Sequence, residues 1–321
     1  MPVPEPGEGE AKVRIVETPV NPSDLLYVRG QYAGVQEPFP APMGFEGVGI
    51  VEAIGPGVKD LTIGQRVSVV NGRGGNWAEY AVVPAGELFH VPDDISDDQV
   101  ASFVINPASA IVMVRHVLAV PKGAWLMQSA AGSELGRMVI RLAKRDGIRT
   151  VNIVRRREAA EELKRLGADV VFVSGDGPID EQVREKIAPE GVKYAIDPVV
   201  GEIGTQMFRS LHEDGRMLVY GSLTGEPIRV GEDPRYILAG RRIVEVYWLG
   251  YWLKKFSASQ TEQLNRDIIE LMRAGIVETS TGRKYSLDQI NEAVTQAEQT
   301  GRKGKVYLVP GMGAGNGSAK K

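Results

Sequence analysis

The sequence predicts an α/β protein with two domains, a small β-barrel and a doubly wound parallel sheet. With 321 residues, the chain exceeds the roughly 250–300 residues at which single hydrophobic cores stop growing. The first hundred residues contain short strand-like segments between turns, whereas the chain from about Pro107 alternates strands with helices. This change of rhythm places a domain boundary near residue 106.

The first domain, residues 1–106, is predicted from four strand-like segments bounded by glycine, proline and asparagine. Its glycines are dense enough to predict strongly bent strands. The strand candidates are KVRIVE (12–17), GVGIVEAIG (47–55), RVSVV (66–70) and EYAVVP (79–84).

The second domain, residues 107–246, is predicted from short apolar strands separated by helical segments, which imply a parallel sheet with helices on both faces. The strand candidates are AWLMQSA (124–130), TVNIV (150–154), DVVFVS (169–174), KYAIDPV (193–199), RMLVYGS (216–222) and RIVEVYW (242–248). Residues 247–310 are expected to return to the first domain, with an amphipathic helix near 262–274 and a strand KVYLVP (305–310). We expect the glycine-rich tail, 311–321, to be disordered.

Composition excludes several classes of function. The chain has no cysteine, which excludes disulfides, thiolate nucleophiles and cysteine-ligated zinc. Its three histidines are far apart along the chain, so we expect no metal site. A formal net charge of −3 gives no sign of nucleic-acid binding. There is no apolar run of membrane-spanning length and no secretory signal, so we expect a cytoplasmic protein without a membrane partner.

A phosphate-binding loop is predicted between the first strand and first helix of the second domain. Small residues there replace the glycines of the G-x-G-x-x-G pattern, and a helix N-terminus attracts anions. The candidate cofactor-binding residues are Gly132, Ser133, Glu134, Leu135 and Gly136. The alternative is an ordinary strand–helix turn, because the pattern is degenerate. Glu134 has no explanation from the sequence, since its carboxylate would repel a pyrophosphate unless it pointed outward.

Three arginines, Arg155, Arg156 and Arg157, follow the next strand. NAD-selective enzymes usually carry an acidic residue at this position, which binds the ribose 2′-hydroxyl. Guanidinium groups fit the 2′-phosphate of NADP instead, and Arg155 is the strongest candidate. We therefore predict NADPH as the cofactor, with the basic start of a solvated helix as the alternative interpretation.

Several segments resemble the medium-chain dehydrogenase/reductases over nearly the whole chain. They are NPSD (21–24), GFEGVGIV (44–51), LGAD (166–169), DPVVG (197–201) and GKVYLV (304–309). The resemblance implies a GroES-like catalytic domain and an inserted Rossmann domain; the family's opening hairpin is missing. Phe45 stands where zinc alcohol dehydrogenases have a catalytic histidine. With no metal to polarise the substrate oxygen, zinc-dependent alcohol oxidation is excluded.

Within the zinc-free branch, the chain is similar to mitochondrial-type trans-2-enoyl thioester reductases. The similar segments are RGQY (29–32), NPASA (106–110), the nucleotide-binding strand–helix–strand unit and YWLGYWLKK (247–255). The resemblance implies NADPH-dependent reduction of a C=C bond in a 2-enoyl thioester. It makes Tyr32, in a loop expected just after the first strand, the catalytic proton donor. Its alternative role is a packed boundary tyrosine, and Tyr27 is the fallback donor.

The remaining site candidates are assigned from their positions. Asn21 and Ser109 are expected to hydrogen-bond the nicotinamide carboxamide or ribose, although Asn21 equally fits a cap before Pro22. Tyr220 and Gly221 are expected to line the cofactor crevice.

Three further candidates have equally open alternatives. Trp248 and Leu249 are expected to wall the nicotinamide and acyl pocket, or else to lie in the core or in a subunit interface. Lys305 is expected to reach the cofactor phosphates or to be solvated.

Three functions remain in competition: a 2-enoyl thioester reductase, an NADPH-dependent quinone or enone reductase, and a non-catalytic NADPH-binding protein. The first two differ in the acceptor. We also expect a homodimer formed through the apolar strand RIVEVYW at the edge of the second sheet.

Overall fold

The computed structural model describes residues 5–32, 40–187, 191–231 and 240–313. The chain forms two compact units, Met1–Asn106 with Ser259–Lys321 and Pro107–Ala258. The return to the first unit lies after Ala258, later than the expected residue 247, because the segment after β11 (Ile243–Val246) stays with the parallel sheet. There the Tyr247 N–H donates to the Val219 carbonyl at 2.7 Å. Of the tail predicted to be disordered, 311–321, residues 311–313 are described, with the Met312 N–H donating to the Val309 carbonyl at 3.0 Å, and residues 314–321 lie outside the described residues.

The described strands and helices follow the chain in this order. The strands are β1 Glu10–Pro19, β2 Glu46–Ile54, β3 Arg66–Val70, β4 Tyr80–Pro84, β5 Leu88–His90, β6 Trp125–Gln128, β7 Arg149–Val154, β8 Val170–Val173, β9 Val192–Asp197, β10 Leu211–Val219, β11 Ile243–Val246, β12 Thr281–Tyr285 and β13 Lys305–Leu308. The helices are α1 Pro22–Val28, α2 Asp97–Ala101, α3 Ile105–Ile111, α4 Glu134–Asp146, α5 Arg157–Leu166, α6 Ile179–Ile187, α7 Gly201–Ser210, α8 Leu249–Leu253, α9 Ala258–Arg273 and α10 Ile290–Glu298. A π-helical segment, Val112–Val117, continues α3.

The first unit is organised around a seven-stranded sheet of order β12-β13-β1-β2-β3-β5, with β4 also paired to β1. Only β12 and β13 pair in parallel; the other pairs are antiparallel. Apolar residues alternate along these strands, so one face is buried. Their core contains Val13, Ile15, Val51, Val67 and Val83. All four predicted strands of the first domain are confirmed.

Helix α1 was not predicted. Its seven residues are too few to show a helical repeat of apolar residues. The start signal is nevertheless present, because Asn21 is the N-cap, Pro22 is the first residue, and the Asp24 carboxylate accepts the Asn21 N–H at 2.7 Å. Tyr32 therefore follows a helix, and not the first strand directly as expected.

The second unit contains a six-stranded parallel sheet of order β11-β10-β9-β6-β7-β8. The strand order reverses between β6 and β9, and in such sheets ligands bind beyond the carboxyl ends of the strands at this switch point. Both faces of the sheet are buried, with Met127, Val151 and Ala195 on one face and Leu126, Ile196 and Leu218 on the other, which explains the continuous apolar runs in the sequence. The predicted α/β class and all six predicted strands are confirmed.

No helix in the described part of the chain combines the length and hydropathy required to span a bilayer.

Glu17 on β1 carries a buried carboxylate, which lies beside β12 in the first unit. The Lys284 ammonium on β12 donates to it at 2.8 Å and also pairs with Asp98 on α2. Burial raises the pKa of Glu17 from 4.5 to about 7, although Lys284 acts in the opposite direction. The folded state therefore holds the Glu17 proton more tightly than the unfolded state does.

This difference predicts a pH dependence of stability. Because the folded pKa of Glu17 is raised, its contribution is fully present below pH 4.5 and is lost as pH rises towards about 7. Glu17→Gln should remove this component, which amounts to at most about 3 kcal/mol. Urea unfolding at pH 5 and pH 8 measures it. Glu52→Gln, at a partly exposed position on β2, is the matched control, and a wild-type pH slope in Glu17→Gln would contradict the assignment.

Candidate functional site

The loop predicted to bind phosphate comprises residues 129–133 between β6 and α4. Ser133 is the N-cap of α4, and its Oγ accepts the Gly136 N–H at 3.0 Å. The Ala131 N–H donates to the Ile153 carbonyl at 3.2 Å, which ties the loop to β7. A side chain that the sequence analysis missed, Gln128, is buried beneath the loop and donates to the Gly136 carbonyl at 3.0 Å.

The two glycines of this loop have different roles. A Cβ on Gly136 would lie 2.6 Å from the Ala131 carbonyl oxygen, so the helix packs on the loop only because residue 136 is glycine. A Cβ on Gly132 would meet nothing nearer than Ala159 at 3.8 Å. Gly132 is therefore not required by the packing of the protein, and it leaves room for a ligand. Ser133 caps the Gly136 amide, and the earlier amides of the first turn, including that of Leu135, have no partner within the helix, as at any helix N-terminus.

The three arginines after β7 are placed differently from one another. Arg155 and Arg156 are exposed, and Arg156 is the N-cap of α5. Neither has an ion-pair partner among the described residues. Arg157 begins α5 and donates to the Asp176 carboxylate at 2.5 Å. Among the described residues, two guanidinium groups thus remain without an ion-pair partner at the end of β7, and the third is engaged by Asp176.

A polar cluster lies where β6, β9 and β10 end. The Ser129 hydroxyl donates to the Asp197 carboxylate, which also accepts the Val199 N–H at 2.9 Å. The Tyr220 N–H donates to the Asp197 carbonyl at 3.0 Å. The Tyr220 hydroxyl is buried without a hydrogen-bond partner among the described residues, and burial, reinforced by the charge of Asp197, raises its pKa. An unpaired buried hydroxyl at this edge of the sheet indicates a place for a polar ligand.

Gly221 follows Tyr220 and packs closely on Pro198, the residue after β9. A Cβ there would lie 3.1 Å from the Pro198 side chain. Ser129 and Asp197 were missed as site residues by the sequence analysis. The signal for Asp197 was its position at the end of a predicted strand in DPVVG.

The structure brings Ser109 and Tyr247 together in the second unit. Both are buried, and the Ser109 hydroxyl partly opposes the rise that burial causes in the pKa of Tyr247. Trp248 is 50% exposed, so it is not a core residue, which removes one of the alternatives for it. It is the N-cap of α8, and Leu249, the first residue of that helix, is half-buried.

A buried ion pair lies in the first unit. The Glu46 carboxylate on β2 accepts the Asn21 side-chain amide at 2.8 Å, and the Lys305 ammonium lies 3.3 Å from the same oxygen. The other oxygen accepts the Ile105 N–H at 3.0 Å. Lys305 is only 3% exposed. Lys305 is therefore not solvated, and its ammonium balances Glu46, because a buried carboxylate requires a counter-charge. The expected contact of Lys305 with the cofactor phosphates stays a prediction.

Asp24 connects this ion pair to the aromatic residues of the first unit. Its carboxylate accepts the Asn21 N–H at 2.7 Å and the Phe45 N–H at 3.1 Å. Burial raises the pKa of Asp24 to about 7, Glu46 adds to the rise, and Lys305 opposes it. Asp24 therefore fixes the start of α1 against the start of β2. The sequence analysis did not select Asp24 or Glu46.

Three aromatic rings pack together at this point. The Tyr32 ring lies 5.4 Å from that of Phe45 with the planes tilted by 31°, and the Tyr27 ring lies 5.2 Å from Phe45 in an edge contact. Tyr27 is 4% exposed, whereas Tyr32 is partly exposed. Of the two tyrosines, Tyr32 is thus the more accessible to a substrate.

The described residues contain no group of three or more histidine, aspartate and glutamate side chains arranged to hold a metal ion.

Two protein-family models match the chain. The alcohol dehydrogenase GroES-like domain matches residues 7–93, and the zinc-binding dehydrogenase model matches residues 135–266. The mitochondrial enoyl-[acyl-carrier-protein] reductase of Xenopus tropicalis is 30% identical over 307 residues, covering 91% of this chain and 85% of that relative. The chain belongs to the medium-chain dehydrogenase/reductase superfamily.

Solved structures of this superfamily share the fold. A protein of Bacillus thuringiensis assigned as an NADPH:quinone reductase matches with a TM-score of 0.89 at 30% identity, covering 96% of this chain and 92% of that one. A mycobacterial protein solved in complex with NADPH matches with a TM-score of 0.86 at 26% identity, covering 97% and 94%. The seven-stranded unit is the GroES-like domain of this medium-chain dehydrogenase/reductase, and the parallel sheet is its Rossmann-type domain. Without cysteine, the chain lies in the zinc-free branch.

The two loop glycines give a test of this nucleotide-binding loop. Gly136→Ala should lower the free energy of unfolding by about 2–3 kcal/mol, because the new methyl group would overlap the backbone of Ala131. Gly132→Ala is the matched control, and it should change stability by less than about 1 kcal/mol. Urea unfolding measures both, and equal stabilities of the two variants would show that the close contact is wrong.

Proposed function

We propose that this chain reduces the C=C bond of a 2-enoyl thioester with NADPH. The observation that carries the proposal is the partly exposed ring of Tyr32, which packs on Phe45. Phe45 stands where zinc-dependent members of the superfamily have a metal ligand. The enoyl-[acyl-carrier-protein] reductase of Xenopus tropicalis supports the acceptor class. Because that relative is mitochondrial, the cytoplasmic location expected from the sequence stays a prediction.

Residues of the second unit fit the parts of NADPH. The open space at Gly132 and the first-turn amides of α4 suit a pyrophosphate. Arg155 and Arg156 suit the 2′-phosphate, and the unpaired Tyr220 hydroxyl suits a polar group of the cofactor. The mycobacterial structure with NADPH supports the same cofactor.

The proposed chemistry divides between the cofactor and the protein. NADPH, when bound, supplies the hydride for the β-carbon. The Tyr32 hydroxyl donates the proton that the α-carbon requires. Asn21 was expected to contact the cofactor, and its side-chain amide donates to the Glu46 carboxylate. We therefore assign Asn21 to positioning the start of α1.

A quinone or enone reductase is the second candidate, and the Bacillus thuringiensis structure favours it. Both enzymes use the same cofactor residues and differ in the acceptor. A non-catalytic NADPH-binding protein would bind the cofactor but turn over neither acceptor. Steady-state assays with crotonyl-CoA and with a quinone therefore distinguish the three functions.

Arg155→Ala tests the cofactor preference. A charge-assisted bond to the 2′-phosphate contributes roughly 1.5–3 kcal/mol, so the Kd for NADPH should rise by roughly 10–150-fold and that for NADH should not change. Arg157→Ala is the matched control and should change the NADPH Kd little, because Asp176 already engages Arg157. Fluorescence titration of the wild type and of both variants measures these Kd values. Equal affinities of the wild type for NADPH and NADH would contradict the assignment.

Tyr32→Phe tests the proton donor. The change removes one oxygen and keeps the ring on Phe45, so stability should remain near that of the wild type. Loss of a general acid lowers the rate by about 10²–10⁴-fold, and here kcat and kcat/KM should fall while NADPH affinity stays intact. The measurement is crotonyl-CoA-dependent NADPH oxidation.

Tyr27→Phe is the control for this experiment, because Tyr27 packs on the same phenylalanine but is buried. If Tyr27→Phe loses the rate and Tyr32→Phe keeps it, the wrong tyrosine has been selected. If both variants keep the rate, the proton comes from solvent.

A homodimer through β11 is part of the proposal. This strand lies at the edge of the parallel sheet and exposes Ile243, Val244 and Val246, the last by 82%. An uncovered apolar edge strand tends to pair with another chain. Light scattering at micromolar concentration should show a dimer for the wild type and a monomer for Val246→Lys. A monomeric wild type would contradict the proposed assembly.

A further inference from the structure

Two residues at the switch point of the parallel sheet have backbone conformations that their side chains disfavour. Val200, after β9, has a φ of +60° and a ψ of −153°, a region that is essentially confined to glycine. Ala130, after β6, has a φ of +47°. Positive φ is uncommon outside glycine, and for a β-branched residue it is a clear outlier. Because β6 and β9 are neighbours, both conformations occur at the edge where ligands bind in such sheets.

A buried side-chain contact joins these two turns. Ser129 precedes Ala130, and its hydroxyl donates to the carboxylate of Asp197. That carboxylate also accepts the Val199 N–H at 2.9 Å and the Val200 N–H at 3.1 Å. Ser129 and Asp197 are both fully buried. The carboxylate therefore holds the turn after β9 in place and ties it to the turn after β6.

The turn after β10 is held against the same strained turn. The Thr224 hydroxyl donates to the Val199 carbonyl at 2.9 Å, and the Leu223 N–H donates to the Pro198 carbonyl at 2.9 Å. Tyr220, expected to line the cofactor crevice, lies at the start of this turn. Three neighbouring strand ends are thus linked by contacts of the protein alone.

The strain at Val200 requires a compensating interaction. Strain of this kind persists only where the surrounding contacts impose it, and the two N–H groups bound by Asp197 impose it here. A turn that is already in place does not have to be ordered by a ligand, and such ordering opposes binding. Val200 is only 6% exposed, so it acts through the shape of the turn and not through contacts of its own side chain with a ligand.

We propose that Ser129 and Asp197 are positioning residues that hold Val200 in its strained conformation, so that the cofactor crevice is formed before NADPH binds. This role rests on the NADPH site of the proposed function. Because Ser129 is fully buried, it acts on the cofactor only through the turn after β9.

The first test is urea unfolding of Val200→Gly and Val200→Ala without cofactor. Both variants remove the two methyl groups of valine, but only glycine adopts this φ and ψ without strain. The unfolding equilibrium constant of Val200→Gly should be at least about fivefold below that of Val200→Ala, the reverse of the usual order of the two residues. If Val200→Ala is at least as stable as Val200→Gly, the strain is not present and the inference is overturned.

The second test is fluorescence titration of the same two variants with NADPH. The Kd of Val200→Gly should be at least about fivefold above that of Val200→Ala, because the cofactor then has to order the freed turn. Stability and affinity should therefore change in opposite directions, which a purely structural role of Val200 does not produce.

Ala119→Gly is the matched control for relief of strain. Ala119 is exposed, has a φ of +45° and precedes β6 in the same unit, away from the carboxyl ends of the strands. Glycine should relieve its strain as well, whereas the Kd for NADPH should stay within about twofold of the wild type.

Ser129→Ala tests the contact between the two turns. It removes the hydroxyl that donates to Asp197 and keeps the backbone contacts of that carboxylate. The Kd for NADPH should rise about tenfold in the wild-type background and less than about threefold in the Val200→Gly background, because the freed turn no longer depends on the contact. Additive effects of the two substitutions on the Kd would overturn the positioning role of Ser129.

The titration separates this inference from the proposed function. Equal Kd values of Val200→Gly and Val200→Ala, with a wild type that binds NADPH, would overturn the inference and leave the proposed function standing. If the wild type binds no NADPH, the proposed function is wrong, and the positioning role fails with it.

Discussion

The buried carboxylate of Glu46 is the interaction on which the first unit depends. It receives the Asn21 side chain from the start of α1, the Ile105 N–H from the start of α3 and the Lys305 ammonium from β13. These groups are far apart in sequence and meet only at this carboxylate. Removing one partner of such a buried pair destabilises a protein by roughly 3–5 kcal/mol, because the remaining charge is left without a partner. The charge of Glu46 raises the pKa of Asp24. The Asp24 carboxylate accepts the Phe45 N–H, and the Phe45 ring packs against that of Tyr32. The candidate proton donor is thus supported by charges that it does not touch.

The second unit depends on close packing more than on charge. The loop between β6 and α4 is shaped by the contact between Gly136 and Ala131, and the strand ends carry Ser129, Asp197 and Tyr220. Ser129 and Asp197 hydrogen-bond across the place where the strand order reverses. A parallel sheet brings these ends together whatever their separation in sequence, so a small number of side chains can form a site there.

Local features of the site were predictable from the sequence, and long-range features were not. The loop between β6 and α4 was predictable because its strand, small residues and helix are consecutive, whereas its binding of phosphate stays a prediction. The arginines after β7 were found for the same reason. The contacts of Lys305 and Asn21 with Glu46, which lies 259 and 25 residues away, were not predictable, because one sequence does not show such pairings. Helix α1 was missed because it is only seven residues long, although its N-cap signal was present.

The division of the chain has a consequence for how the protein is synthesised. The second unit is one continuous segment, Pro107–Ala258, so every residue of its sheet has left the ribosome before the first unit is complete. The first unit lacks β12 and β13 until these late strands are synthesised, and the end of β1 at Thr18 and Pro19 waits for its pairing partners Leu308 and Tyr307. Such nonlocal pairing forms slowly and leaves strand edges exposed in the meantime. The nascent amino-terminal strands are therefore the part of this chain that most needs protection by a chaperone.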